Sequence, residues 1–488
     1  MKAVWPIFLS AIAGVTLATA PLEPPAGKLL FGAWYDRNNS DTPSDVNTRF
    51  NYKPLSFFQT DIDFSGVVKP WTAPTITTQF LQQLEDTNTD AIAFLTVYPF
   101  QGFANITGSN FKNTFIAVFL TQHVFKLSDA QLADMAQRLN DIVNAGHSVF
   151  FRFASEMNGS WFPYGQDPIG FISAWIRCIT YWRNALGSNA SKVAFIWSPN
   201  SGNGYPYPDE TYSFDANNTS PANLANLKVL DTNNNGKLDA EDDPYLPYYP
   251  GDDYVDWTNL MTFIADGTEY DSTVGGWDDN SIPVSGKFEH YLNGDTTDPE
   301  TYGYAPFYTY FASSTGSKNS NGTVVSAGSK PLIISETAAT YHFAWIDPIG
   351  KPAIKGNATR LEIKQGWYEQ FLTADFISNY PQMKAVSTFE FIKSEEVTWR
   401  DFTVFGMAPD PDPTSPNFTA DANGVAAAIS AYAQSLDFIT YANVTSSSSS
   451  SAGSFSTVKS GAVGGNDFSG LFAIFVSLGT VFLSGLIF

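Results

Sequence analysis

The 488-residue chain contains one cysteine, so no intramolecular disulfide can form, and at this length the core does not need one. That cysteine, Cys178, lies in Phe171-Ile-Ser-Ala-Trp-Ile-Arg-Cys-Ile-Thr-Tyr-Trp182, where apolar residues recur at helical spacing and no histidine is close in sequence. It reads as buried packing and not as a nucleophile. Histidine is nearly as scarce, and His123, His147, His290 and His342 show no metal-ligand spacing. His342 follows Glu336 closely enough to reach a site there, although a core or rim place is the simpler reading. There is no Gly-rich phosphate loop. Basic residues are few: 26 Lys and Arg against 48 Asp and Glu leave a net charge of -22, distributed along the chain. Such a surface repels nucleic acid, acidic polysaccharide and anionic membrane, and favours a neutral or cationic ligand. Charged residues amount to only 15%, the same share as aromatics, a balance that suits a cleft for sugar rings, although a large aromatic core accounts for most of it.

Both ends carry processing signals. Residues 1–20 combine Lys2, an apolar run from Val4 to Leu17 and the small residues Ala18-Thr19-Ala20, the layout of a secretory signal peptide. Residues 463–488 hold a polar spacer and an apolar tail from Leu471 to Phe488, preceded by Ser460-Gly461-Ala462 and followed by no basic residue, as in a GPI-anchor signal; a plain C-terminal membrane helix is the alternative. The expectation is a protein secreted to the cell surface and joined to membrane or wall through a lipid anchor. A Ser-rich stalk covers 443–462. Glycosylation acceptors at Asn38, Asn105, Asn189, Asn217, Asn321, Asn357, Asn417 and Asn443 fit that route. Asn158 also matches, but is expected to stay bare because a glycan would fill the site described next.

Between these ends, apolar strand-like runs alternate with helical patterns. The strands are expected near Lys28–Tyr35, Leu55–Asp63, Asp90–Tyr98, Val149–Ala154, Ser191–Asn200, Asp253–Phe263, Lys330–Glu336 and Met383–Ile392. Helices are expected near 75–86, 128–145, 168–185, 360–373 and 421–436. This order predicts an α/β fold, a (β/α)8 TIM barrel spanning 27–442 as a single catalytic domain, with long insertions after strands 5 and 6, at 201–250 and 268–328.

The stretch Val149-Phe-Phe-Arg-Phe-Ala-Ser-Glu-Met-Asn-Gly-Ser-Trp161 ends a buried strand in a carboxylate, an amide and an indole. Reactive groups of a TIM barrel sit at strand C-terminal ends, and Glu156 after strand four and Glu336 after strand seven both occupy such places. Two carboxyls are what a retaining glycosidase needs, one to protonate the leaving oxygen and one to attack the anomeric carbon, about 5 to 5.5 Å apart and in different electrostatic fields. A structural reading of Glu156, as the partner of Arg152, stands beside this.

The segment Arg152-Phe-Ala-Ser-Glu-Met-Asn-Gly-Ser-Trp161 resembles the Arg-Pro-x-His-Glu-Met-Asn-Gly-x-Trp signature of glycoside hydrolase family 26, the clan-A retaining enzymes typified by β-mannanases. Gly32-Ala-Trp34, Ile196-Trp-Ser-Pro-Asn200, Tyr249 to Trp257, Lys330 to Glu336 and Lys393 to Arg400 are similar to the same family in the same order. The resemblance implies Glu156 as acid/base and Glu336 as nucleophile, with Arg152, Asn158, Trp161, Phe263 and Trp399 lining the sugar site, and an endo-acting glycoside hydrolase of neutral β-mannan or β-glucan. Two positions depart from the family: Ser155 replaces its histidine, and Phe263 falls where it has a tyrosine. The departures suggest an altered substrate or a slow enzyme, and leave room for a catalytically weak or inactive barrel that binds or adheres to cell-wall glycan.

Outside that resemblance, Asp231-Thr-Asn-Asn-Asn-Gly-Lys-Leu-Asp-Ala-Glu-Asp242 follows the EF-hand calcium loop, with Asp231, Asn233, Asn235, Asp239 and Asp242 supplying side-chain oxygen, Lys237 its carbonyl, and Gly236 at the sharp turn. A structural Ca2+ is expected at 231–242, although Asp242 stands where glutamate is usual.

Overall fold

A computed structural model describes residues 19–37, 40–64, 73–103, 129–208, 210–264, 279–294, 305–319, 321–395, 397–406 and 418–445. The expected signal peptide up to residue 18, the anchor signal, nearly all of the stalk, and the acceptors Asn38, Asn105 and Asn417 lie outside the described residues. No described helix is long and apolar enough to cross a membrane.

Nearly continuous runs of apolar side chains form β1 (Leu29–Tyr35), β3 (Ile92–Tyr98), β4 (Val149–Phe153) and β5 (Val193–Trp197), as strands covered on both faces should, while β2 (Phe57–Asp63) is apolar only at Phe57, Phe58 and Ile62. They pair in parallel in chain order. β5 then pairs with β6 (Trp257–Asn259), and after Leu260 and Met261 the sixth stave resumes as β7 (Thr262–Ile264). Both pieces pair with β8 (Leu332–Ala339). Beyond β9 (Tyr341–Trp345), β10 (Met383–Glu390) joins β8 on one side and β1 on the other. The parallel barrel is therefore closed with eight staves and flanked by helices, as the alternation predicts.

Two strands differ from expectation. The run expected at Asp253–Phe263 is two short pieces, and β8 continues past Glu336 to Ala339. Against β10, Ile334 faces Val386 while Thr337 faces Thr388, so β8 carries one extra residue at Ser335–Glu336. That bulge lets Glu336 lie within a strand and still face the barrel mouth. The helix expected at 360–373 ends at Tyr368, and a second helix, Ala374–Asn379, begins just past the expected range; each is capped by a threonine.

The barrel interior is layered. Phe57, Phe94, Phe150, Ile196, Trp257 and Ile333 fill the end where the strands begin, and the segment at Ala20 and Leu22 packs against them, with the Trp257 indole donating to the Pro21 carbonyl at 2.7 Å. One side-chain step further along the strands the residues become polar: Gln59, Thr96, Arg152, Asn259 and Ser335, all buried. At the far end, β11 (Ile392–Glu395) and β12 (Thr398–Asp401) form with β9 a small antiparallel sheet over the mouth.

Candidate active site

The polar layer holds the base of the site. Arg152, 1% exposed, donates from Nε to Thr96 Oγ1 at 2.9 Å and from Nη1 to Ser335 Oγ at 2.6 Å, and forms an ion pair with Glu336 through Nη2. Its guanidinium lies 5.4 Å from the Phe94 ring centre. Gln59 Nε2 also donates to Glu336 Oε1, at 3.2 Å. Asn259 ties neighbouring staves together, donating to Ser198 Oγ at 2.7 Å and accepting from the Ser335 amide at 2.7 Å.

Glu156 stands beside this layer. β4 ends at Phe153, and the chain turns through Ala154 and Glu156, which have φ of +50° and +58°. Positive φ is uncommon for side chains other than glycine and marks a turn held by its surroundings. Here the Glu156 amide donates to the Ser198 carbonyl at 2.7 Å, Gly159 closes back on the Glu156 carbonyl, and Tyr164 Oη donates to the Ser155 carbonyl at 2.8 Å. The Glu156 carboxyl is pushed up to about 8, first by burial, then by the negative charge of Glu336; Arg152, a hydrogen bond from Trp161, and Lys393 oppose the rise. The Tyr98 hydroxyl is raised by burial above all, and the charges of Arg152, Glu336 and Glu156 all act on it, which places it among the three.

The residues expected at the site come together unequally. Glu156, Glu336, Arg152 and Trp161 form one cluster, but Arg152 lies beneath Glu336 and offers no surface to a ligand. Asn158 is fully buried and locked to the loop after β5: Nδ2 donates to the Asn200 carbonyl at 3.0 Å, and Oδ1 accepts from the Asn200 amide at 2.8 Å. A glycan on Asn158 has no route out. Trp161 packs over Gly159, where an added Cβ would come within 2.4 Å of the indole, and meets Tyr207 edge-on at 5.0 Å. Trp399 sits on β12 between Ala344 and Ser394, 38% exposed. The backbone of Phe263 belongs to β7; its side chain lies outside the described residues. His342 is buried in the small sheet, with Nδ1 2.8 Å from Thr398 Oγ1.

Two participants escape a reading of the sequence: Gln59 sits in the mixed strand β2 and Tyr98 closes the apolar β3, with nothing local to single either out. Lys393, inside a stretch similar to the family, pairs with Glu395 at 3.1 Å and lies over the Phe402 ring at 5.3 Å. Trp34 packs against Phe389 at 4.9 Å and Phe391 at 5.3 Å, an aromatic shelf on the β1–β10 side of the mouth.

The loop at 231–242 turns its oxygens onto its own amides. Asp231 accepts from Asn235 and Gly236 at 2.9 and 2.8 Å, Asp242 accepts from Thr232 and Asp239 at 2.7 and 2.9 Å, and Lys237 Nζ lies 2.6 Å from Asp239 Oδ2. Among the described residues, no three His, Cys, Asp or Glu side chains gather into a group that could hold a metal ion.

No family model and no curated protein matches the chain. Among solved structures it is similar to a modular endo-β-1,4-mannanase from Cellulomonas fimi, with 14% identity over 85% of this chain and 72% of that one and a TM-score of 0.42. It is also similar to the catalytic domain of a family-26 endo-β-1,4-mannanase from Bacillus sp. JAMB-750, with 15% identity over 85% and 87% of the two chains and a TM-score of 0.43. A family-26 β-mannanase from Bacteroides ovatus has 14% identity over 85% and 90%, with a TM-score of 0.41. The closed barrel itself is established by the strand pairing.

Proposed function

We propose that the chain is a retaining glycoside hydrolase that cleaves a neutral β-linked polysaccharide, a β-mannan or β-glucan, by double displacement. The observation that carries this reading is the unequal treatment of two carboxyls at one barrel mouth. Glu156 is raised to about 8, while Glu336 accepts hydrogen bonds from the Arg152 guanidinium and the Gln59 amide. One carboxyl that keeps its proton at neutral pH beside one held by a cation is the division that the reaction requires.

In the first step Glu336 attacks the anomeric carbon while Glu156 gives its proton to the departing glycosidic oxygen, leaving a glycosyl ester on Glu336. In the second, a water loses its proton to Glu156 and attacks the same carbon, releasing Glu336. Trp161, Trp34 and Trp399 supply faces for sugar rings, and the acidic surface favours an uncharged polymer. Two further parts of the proposal rest on sequence. One is tethering to the outer surface through a lipid anchor. The other is calcium at 231–242, supported by the spacing of the oxygen side chains and by Gly236 at φ +92°.

The test is a product assay on mannan, β-1,3-glucan, mixed-linkage glucan and xylan. Cleavage by the parent chain should fall about a thousandfold or more in Glu156→Gln and in Glu336→Gln. Cleavage untouched by either change sinks the assignment, and a parent that binds polymer without releasing reducing ends is a glycan-binding barrel instead.

A further inference from the structure

Gln59 makes one hydrogen bond and forgoes another. Its residue is 1% exposed, Nε2 donates to Glu336 Oε1 at 3.2 Å, and Oε1 is buried with no hydrogen-bond partner. An unpaired buried acceptor is destabilising, and buried polar groups are seldom left in that state without a reason. Turning the amide over would not remedy it, because the flip would point Oε1 at the Glu336 carboxylate and turn an attraction into a repulsion. The orientation is therefore dictated by Glu336 and not by the needs of Gln59.

We infer that Gln59 is a positioning residue for the attacking carboxylate: with Arg152 it holds Oε1 of Glu336, so that the other oxygen is the one presented to the sugar. The two donors come from different staves, Gln59 from β2 and Arg152 from β4, so they fix the carboxylate from two directions. Ser335, which precedes Glu336 on the bulge, is held by Arg152 as well, through Nη1. The charged or titratable groups that bear on this point are Arg152, Glu156 and Tyr98. Gln59 adds a neutral donor, which steadies negative charge on Glu336 without introducing a second cation. This inference rests on the reading of Glu336 as nucleophile.

A purely structural role and a positioning role predict opposite outcomes for Gln59→Met, which keeps the volume and removes both polar groups. Positioning predicts a kcat on the best polymer substrate lowered about 10- to 100-fold with KM changed less than about threefold, while the melting temperature holds or rises because the orphan acceptor is gone. A retained kcat, or a kcat lost only in step with the melting temperature, overturns the inference. Gln59→Glu places a second negative charge beside Glu336 and should move the acid limb of kcat/KM to higher pH; an unmoved limb also counts against it. A third arm does not depend on turnover: the carbon-13 resonance of the Glu336 carboxyl in the full chain at fixed pH, assigned with Glu336→Gln. It should move in Gln59→Met, which removes the Nε2 donor from Oε1, and an unmoved resonance overturns the inference. If the parent chain cleaves no polymer, the proposed function falls, and this resonance still decides whether Gln59 acts on Glu336.

Discussion

Arg152 and Glu336 form an ion pair whose partners stand on β4 and β8, with the sixth stave and β5 between them, so that the pair spans the barrel interior above Phe94. The arginine is 1% exposed and the glutamate 14%. Removing either partner leaves the other with an uncompensated charge, but the arginine has no access to water and the glutamate has some. Glu336→Gln should therefore lower stability by about 3 kcal/mol in addition to abolishing turnover. Chemical unfolding at pH 7 checks this; unchanged stability would mean that the buried guanidinium is satisfied by Thr96 and Ser335 alone.

Glu156→Gln should behave differently, because Glu156 is held at about 8 mainly by burial. A carboxyl whose folded pKa lies above its unfolded value binds more protons in the folded state, so its contribution to stability declines as pH rises from the unfolded value near 4.5 towards 8. Glu390, pushed up to about 7 chiefly by burial, has the same sign. The melting temperature of the parent should thus fall between pH 5 and pH 8 by more than that of Glu156→Gln. Parallel curves would contradict the raised pKa.

The same group sets an activity limb. An acid that must be protonated to act loses function as pH rises through its pKa, so kcat/KM on polymer should decline through about pH 8. Lys393→Met removes a cation that lowers Glu156, and should shift this limb upward. A pH–rate series on both chains measures the shift, and a downward move would be the wrong sign.

Acceptor occupancy provides a test away from catalysis. Asn217, Asn321, Asn357 and Asn443 are exposed, whereas Asn158 is sealed by Asn200. Peptide mapping of the chain made in a eukaryotic secretory host should find glycan at these exposed sites and none at Asn158.

Calcium should raise the melting temperature by a few degrees over the same sample in chelator, by about 2.7 kcal/mol at a hundredfold excess over Kd, and Asp231→Ala should abolish the difference. Equal melting in calcium and chelator would remove the ion from the proposal.

The barrel was legible because parallel strands buried on both faces write themselves as apolar runs, and the paired glutamates because they close two of those runs. What stayed hidden depends on register. Nothing in Phe57-Phe-Gln-Thr-Asp61 tells which of Gln59 and Thr60 faces inward until β2 is aligned with β1 and β3. The break at Leu260–Met261 and the extra residue at Ser335–Glu336 are likewise set by partners far away in the sequence. Arg152 shows the same limit: its proximity to Glu156 in sequence suggested that pair, while the fold gives it to Glu336.

The plug at Pro21 bears on how the molecule is oriented. Residues 20–22 close the barrel at the start of its strands, and β13 (Ile439–Thr440) pairs with Leu29 and Leu30 at that same end, followed by Asn443 bonded to Asp90 and Val444 bridged to Thr89. Residue 445 thus lies at the floor of the barrel, with the carboxylates at the opposite pole. Under the proposed tethering on the C-terminal side, a polymer reaching Glu156 and Glu336 would enter from the pole away from the stalk.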